Sequence, residues 1–82
     1  MNTTTLRAVW NGRPVELREA WTLRKRNHVA VCRLWTHEFG WELRLEVVEL
    51  FRTHVCRSTE EIVGTEEVWK AAMIEKGWSP DP

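Results

Sequence analysis

No apolar run in this chain approaches the roughly 18 residues that a helix needs to cross a bilayer, so no membrane partner is expected. The opening Met1-Asn2-Thr3-Thr4-Thr5 lacks the charged and apolar regions of a secretory signal. These absences point to a soluble, cytoplasmic protein. Cysteine is scarce. Cys32 and Cys56 are the only two, too few for a disulfide scaffold, and in the cytoplasm they are expected as reduced thiols. The four glycines stand apart at 12, 40, 64 and 77, which excludes a glycine-rich phosphate loop. No internal repeat and no low-complexity segment interrupt the chain. Net charge is also missing: twelve basic and twelve acidic side chains cancel.

What the chain does have is tryptophan, six of them and no tyrosine. Trp10, Trp21, Trp35 and Trp41 fall in segments that alternate apolar and polar; Trp69 and Trp78 fall on or just past a C-terminal helix. A chain of 82 residues makes one domain. It buries only about 60% of its unfolded surface, so its stability margin is thin and dimerisation is one way to widen it. The zero net charge hides a split. Residues 1–36 carry seven basic against two acidic groups, and residues 37–82 carry five against ten. The halves are expected to pair, across the sheet or across a dimer.

Asn11-Gly12 is the preferred pair for a type I′ hairpin turn. A two-residue loop would set Leu6, Ala8 and Trp10 on one face with Val15 and Leu17. A second strand is expected from Arg13 to about Arg24, with Val15, Leu17, Trp21 and Leu23 in one parity and Glu19 as the exception. Lys25-Arg26-Asn27 reads as a turn. A third strand from His28 to Trp35 sets Ala30, Cys32 and Leu34 against Val29, Val31, Arg33 and Trp35. The connection 36–40 ends at Gly40, the expected site of unusual backbone angles. The fourth strand sets Trp41, Leu43, Leu45 and Val47 against Glu42, Arg44, Glu46 and Val48. Its extension through Leu50, Phe51 and Thr53 would need a bulge, because Val47-Val48 breaks the alternation.

The period then changes. Ser58-Thr59-Glu60-Glu61 has the form of a capping box. Ile62, Thr65, Trp69, Ala72, Met73 and Lys76 share a helical face, although Gly64 is a weak point in the helix. Gly77 and Trp78 suit a Schellman ending packed back on Met73, and Pro80 stops the helix. The expected organisation is a single α+β domain over 1–82. It comprises a hairpin and four-stranded antiparallel meander over 4–56, one helix over 59–76 on one sheet face, and a short tail over 79–82. The ending VWKAAMIEKGW (Val68 to Trp78), after RSTEEI (Arg57 to Ile62), resembles that of short uncharacterised bacterial proteins built as a strand meander and a C-terminal helix closing in KGW. That resemblance implies the same architecture and no activity.

No residues stand out as a catalytic, cofactor or metal site. Cys32, His37, His54 and Cys56 are the donor types of a zinc site, but residues five apart on a strand face opposite ways, and no C-x-x-C or H-x-x-x-H spacing supports them. His54 and Cys56 do share a face. As a nucleophile and base they sit about 6–7 Å apart at the backbone, too far for an easy thiol–imidazole bond. Free cysteines acting as small core side chains are the commoner case. The glutamates read as paired or solvated, with Glu19 at the core rim or on an arginine such as Arg57.

One helix covers one sheet face. The side with Trp21, Leu43 and Leu45 suits Ile62, Trp69 and Met73. The other side then holds Val9, Ala20, Val29, Val31, Arg33, Trp35 and Val48, too apolar a set to be left in water. The expected function is therefore a small non-catalytic homodimeric module that joins through those residues and serves protein–protein interaction or complex stabilisation. The alternative is single-stranded nucleic-acid binding through Arg18, Arg24, Lys25, Arg26, Arg33 and Trp35.

Overall fold

A computed structural model describes residues 10–48 and 50–80. Four antiparallel strands follow one another as a meander: β1 (Glu16–Lys25), β2 (His28–His37), β3 (Gly40–Val47) and β4 (Leu50–Cys56). The helix α1 (Thr59–Glu75) comes next, and β5 (Ser79–Pro80) closes the described chain. Strand order across the sheet is β4-β3-β2-β1-β5. The protein is thus α+β, with a single helix among the described residues packed on the sheet. The expected tail at Ser79-Pro80 instead pairs with β1, Pro80 opposite Leu23 and Ser79 opposite Arg24. Proline is tolerated there because β5 is an edge strand. No helix among the described residues is long and apolar enough to cross a membrane.

The expected first strand, with Leu6, Ala8 and Val9, lies outside the described residues. Asn11-Gly12 does not form a type I′ turn, which needs positive φ at both positions. Gly12 has φ 93, but Asn11 has no positive φ. The Asn11 Oδ1 accepts the Arg13 N–H at 3.3 Å, so the side chain sets the bend. The fourth strand of the meander arises by division of the 41–53 segment. β3 ends at Val47, β4 begins at Leu50, and these two residues are paired. The break in alternation at Val47-Val48 marks a chain reversal and not a bulge.

β2 shows why the sheet has two distinct faces. Ala30, Cys32, Leu34 and Thr36 are buried, and every residue between them is half-buried. The buried set points at α1 and joins Leu23, Leu43, Leu45 and Cys56 from the other strands. β1 departs from simple alternation at two register shifts, one at Leu17 and one at Ala20. Each extra residue flips the parity of the remainder of the strand. Arg18 therefore turns toward α1, Glu19 turns away opposite Arg33, and Trp21 and Leu23 turn back to the core. This explains Glu19 as the parity exception. It is exposed and accepts a hydrogen bond from the Thr22 hydroxyl; it pairs with neither the core rim nor Arg57.

Helix α1 begins and ends where its sequence dictates. Ser58 is the N-cap in extended conformation and its Oγ accepts the Glu61 N–H at 3.1 Å. At the other end Gly77 has φ 102. Its N–H donates to Ile74 and that of Trp78 donates to Met73, at 3.0 and 3.1 Å. These two bonds are the Schellman motif. No basic residue occupies the last helical turn; Lys25 of β1 supplies the cation, its Nζ donating to the Lys76 carbonyl at 2.7 Å. The helix runs unbroken through Gly64. It buries Ile62 and Trp69, and Met73 and Trp78 pack against the core; Ala72 and Lys76, expected on that face, are exposed. Burial of Ile62 alone contributes about 1.5–3 kcal/mol. Two further polar contacts tie β1 to the helix. Trp21 Nε1 donates to the Glu66 carbonyl at 3.1 Å, and Arg18 pairs with the Glu66 carboxylate at 2.7 Å.

Candidate functional site

The sheet face away from α1 is built by the half-buried residues of β2. Val29, Val31, Arg33 and Trp35 lie side by side along it. Register places Glu46 beside Val31, Arg44 beside Arg33, and Glu42 beside Trp35. β4 adds Phe51 next to Glu46 and Val55 next to Glu42. Arg33 Nη1 reaches Glu46 at 2.7 Å and its Nε lies 3.4 Å from Glu16. Arg44 Nε donates to Glu42 at 2.9 Å, and its guanidinium lies 4.2 Å over the Trp35 ring. Ion pairs thus run through the middle of the face along β3, with Val29, Val31 and Trp35 of β2 on one side of them and Phe51 and Val55 of β4 on the other. The Trp35 indole N–H is shut from solvent and meets no acceptor among the described residues.

Of the residues expected at an interface, Val29, Val31, Arg33 and Trp35 are brought together here. Val48 is exposed where β3 ends. Ala20 is not on this face, because the bulge turns it to pack against the core on the helix side. Val9 lies outside the described residues. Of the basic set expected to contact nucleic acid, Arg24 and Arg26 are exposed at the β1–β2 hairpin end. Arg18 faces α1 and not this sheet face, again because of the bulges. Lys25 is held at the helix C-terminus. The charge split between the two halves is met within the chain by Arg18–Glu66 and Arg33–Glu46.

A second feature lies where β4 meets α1. Alternation puts Arg52, His54 and Cys56 of β4 on the helix side, and an open groove of about 460 Å³ runs between Arg52 and His54 on the strand and Glu61, Gly64, Thr65, Val68 and Trp69 on the helix. Arg52 sits 5.2 Å over the Trp69 ring. Glu61, one turn into α1, returns over the strand end. Its Oε1 accepts the Arg57 N–H and its Oε2 meets His54 Nε2, both at 2.9 Å. The Arg57 N–H and the His54 ring hold the Glu61 carboxyl below its ordinary pKa. The capping box is thereby shifted: Glu61 bonds the N–H before the N-cap and not that of Ser58. The Cys56 thiol is pushed up to about 11, by burial first and then by Glu61, with the Thr65 side chain hydrogen-bonded to it. Cys32 is pushed up to about 12, chiefly by burial.

The ligand atoms of His54, Cys56 and Glu61 all lie within 4.8 Å of one another. Cys32 and His37, the other donors weighed from sequence, are elsewhere. Cys32 is two strands from Cys56, about 9.6 Å across the sheet, and four residues out of register with it, which also precludes a disulfide. His37 packs with Trp10 and Phe39. Glu61 was the member that sequence reasoning missed. The signal was present in His54-x-Cys56-x-Ser58-x-x-Glu61, where a capping box follows directly on two donors of one strand face. In the metal-free chain a thiol raised to about 11 is protonated near neutrality, the reverse of an activated nucleophile. No family model, curated protein or solved structure matches this chain.

Proposed function

We propose that this chain is a small, non-catalytic homodimeric module that works in the cytoplasm. It joins a second copy through the sheet face opposite α1, and serves protein–protein interaction or stabilisation of a complex. The observation that carries this reading is the row Val29, Val31 and Trp35 on β2, with Val55 and exposed Phe51 on β4 across the ion-paired β3, under which no second layer packs among the described residues. Its electrostatics favour a copy of itself. Arg33 and Arg44 are neutralised within the face by Glu16, Glu46 and Glu42, so two-fold pairing sets no uncompensated guanidinium of this pair against its copy. Four strands about 4.8 Å apart, each with roughly eight residues at about 3.3 Å, present about 500 Å² in projection. That is of the same order as the roughly 800 Å² each partner buries in a stable complex. Two buried free thiols accord with a reducing compartment.

The same neutralisation, with Arg18 and Lys25 turned to the helix, leaves little of the basic footprint that a phosphate backbone requires. The test is light scattering on two variants, Val31→Glu on the proposed interface and Val63→Glu on the exposed side of α1. Val31→Glu is expected to be monomeric with an unchanged circular dichroism spectrum, and Val63→Glu to stay dimeric. Equal masses for the two variants would overturn the reading.

A further inference from the structure

We propose that His54, Cys56 and Glu61 form a zinc site at the junction of β4 and α1, with a fourth coordination position open to the groove beside it. Each residue alone has an ordinary explanation: Glu61 caps a helix, His54 pairs with a carboxylate, Cys56 fills core. The His54–Glu61 pair brings two of the donors together, but nothing in it requires the Cys56 thiol to join them, and the three donor atoms lie within 4.8 Å of one another. In a tetrahedral zinc site with bonds of about 2.0–2.3 Å, donor atoms stand about 3.3–3.6 Å apart. His54 Nε2 and Glu61 Oε2 are 2.9 Å apart, so a cation entering between them opens that gap by a few tenths of an ångström. The thiol has to close by about an ångström at most. Side-chain torsions supply both adjustments.

The local fold prepares these donors. Strand alternation aims His54 and Cys56 the same way, and the Ser58 cap fixes the angle at which α1 leaves β4. The Arg57 N–H holds Glu61 Oε1 and leaves Oε2 turned toward the imidazole. Thr65 hydrogen-bonds the sulfur. Such outer contacts orient metal ligands and tune their basicity.

A thiol, an imidazole and a carboxylate together suit zinc, and the sulfur and nitrogen disfavour magnesium and calcium, which take oxygen. Binding exchanges the Cys56 S–H bond for an S–Zn bond and releases the proton to water. With three protein ligands the fourth position takes water or an anion from the groove, whose wall carries Arg52. The site lies on the helix side of the sheet, so it stands or falls independently of pairing through the opposite face.

The probe is Co²⁺ added to the untagged chain. One equivalent is expected to give tetrahedral visible bands and a thiolate-to-cobalt charge-transfer band in the near ultraviolet, both abolished by Zn²⁺. Cys56→Ser is expected to lose the charge-transfer band. His54→Gln, an exposed substitution that should leave the fold intact, is expected to weaken binding by about 10–100-fold. His37→Gln, on the far side of the sheet, should bind as the natural chain does. No charge-transfer band at one equivalent, or equal affinity in the natural chain and His54→Gln, would overturn the site.

Discussion

Arg33 and Arg44 stand directly opposite each other across the β2–β3 ladder, and each has its own carboxylate. Like charges so placed repel. Here Glu46 and Glu16 take Arg33, while Glu42 takes Arg44 and sets its guanidinium over Trp35. Both basic groups are thus compensated within the face. Arg44→Gln removes the ion pair and the stacked cation together, and should lower stability by about 1 kcal/mol. A urea midpoint unchanged from the natural chain would show that the stack contributes nothing.

Trp35 carries an indole N–H that is buried without an acceptor among the described residues. Such a group costs about 1–3 kcal/mol. Trp35→Phe removes the cost along with part of the ring area, so its stability should stay within about 1 kcal/mol of the natural chain. Trp35→Ala, which loses the whole ring, should cost about 2 kcal/mol or more. Urea unfolding separates the cases. A large loss in Trp35→Phe would mean that the N–H is bonded.

Gly40 has φ 140, and a methyl group there would run into the carbonyl of Cys56 on the neighbouring strand. Strain and collision add, so Gly40→Ala should destabilise by about 2–4 kcal/mol. Arg26 is the opposite case. It holds φ 57 as the first residue of the β1–β2 turn, where glycine is the unstrained choice. Arg26→Gly should stabilise by about 0.5–1 kcal/mol. Thermal unfolding of the two variants should move in opposite directions.

The legible parts of the fold are those whose residues carry local signals. β2 was readable because Ala30, Cys32 and Leu34 alternate without exception with Val29, Val31 and Arg33. The ends of α1 were readable because Ser58 and Gly77 each satisfy a specific backbone need. β1 was not, because bulges at Leu17 and Ala20 shift parity without any glycine or proline to mark them. That shift misplaced Ala20 and Arg18. The chain reversal after Val47 was missed for the same reason, since Val48 is a poor turn residue. At the β4–α1 junction, a shared face for His54 and Cys56 came directly from their spacing. Glu61 did not, because capping already accounted for it.

Both thiols titrate above their ordinary value of 9.0, Cys32 at about 12 and Cys56 at about 11. The folded chain therefore keeps protons that the unfolded chain gives up. The stability tied to these groups is fully present below about pH 9 and is lost as pH rises through the folded values. The metal-free natural chain should lose urea stability as pH rises from about pH 9 to about pH 11, and Cys32→Ala should lose less over that interval. Equal slopes would place the alkaline sensitivity elsewhere. Alkylation of the folded chain near neutral pH should be slow for both cysteines and fast once unfolded.

The face under Val31 and Trp35 is the centre of this account, and the mass of the untagged natural chain in solution tests it most directly. Sedimentation equilibrium at micromolar concentration should return the mass of two chains, dissociating on dilution as a single reversible step. A mass of one chain across the whole concentration range would contradict it.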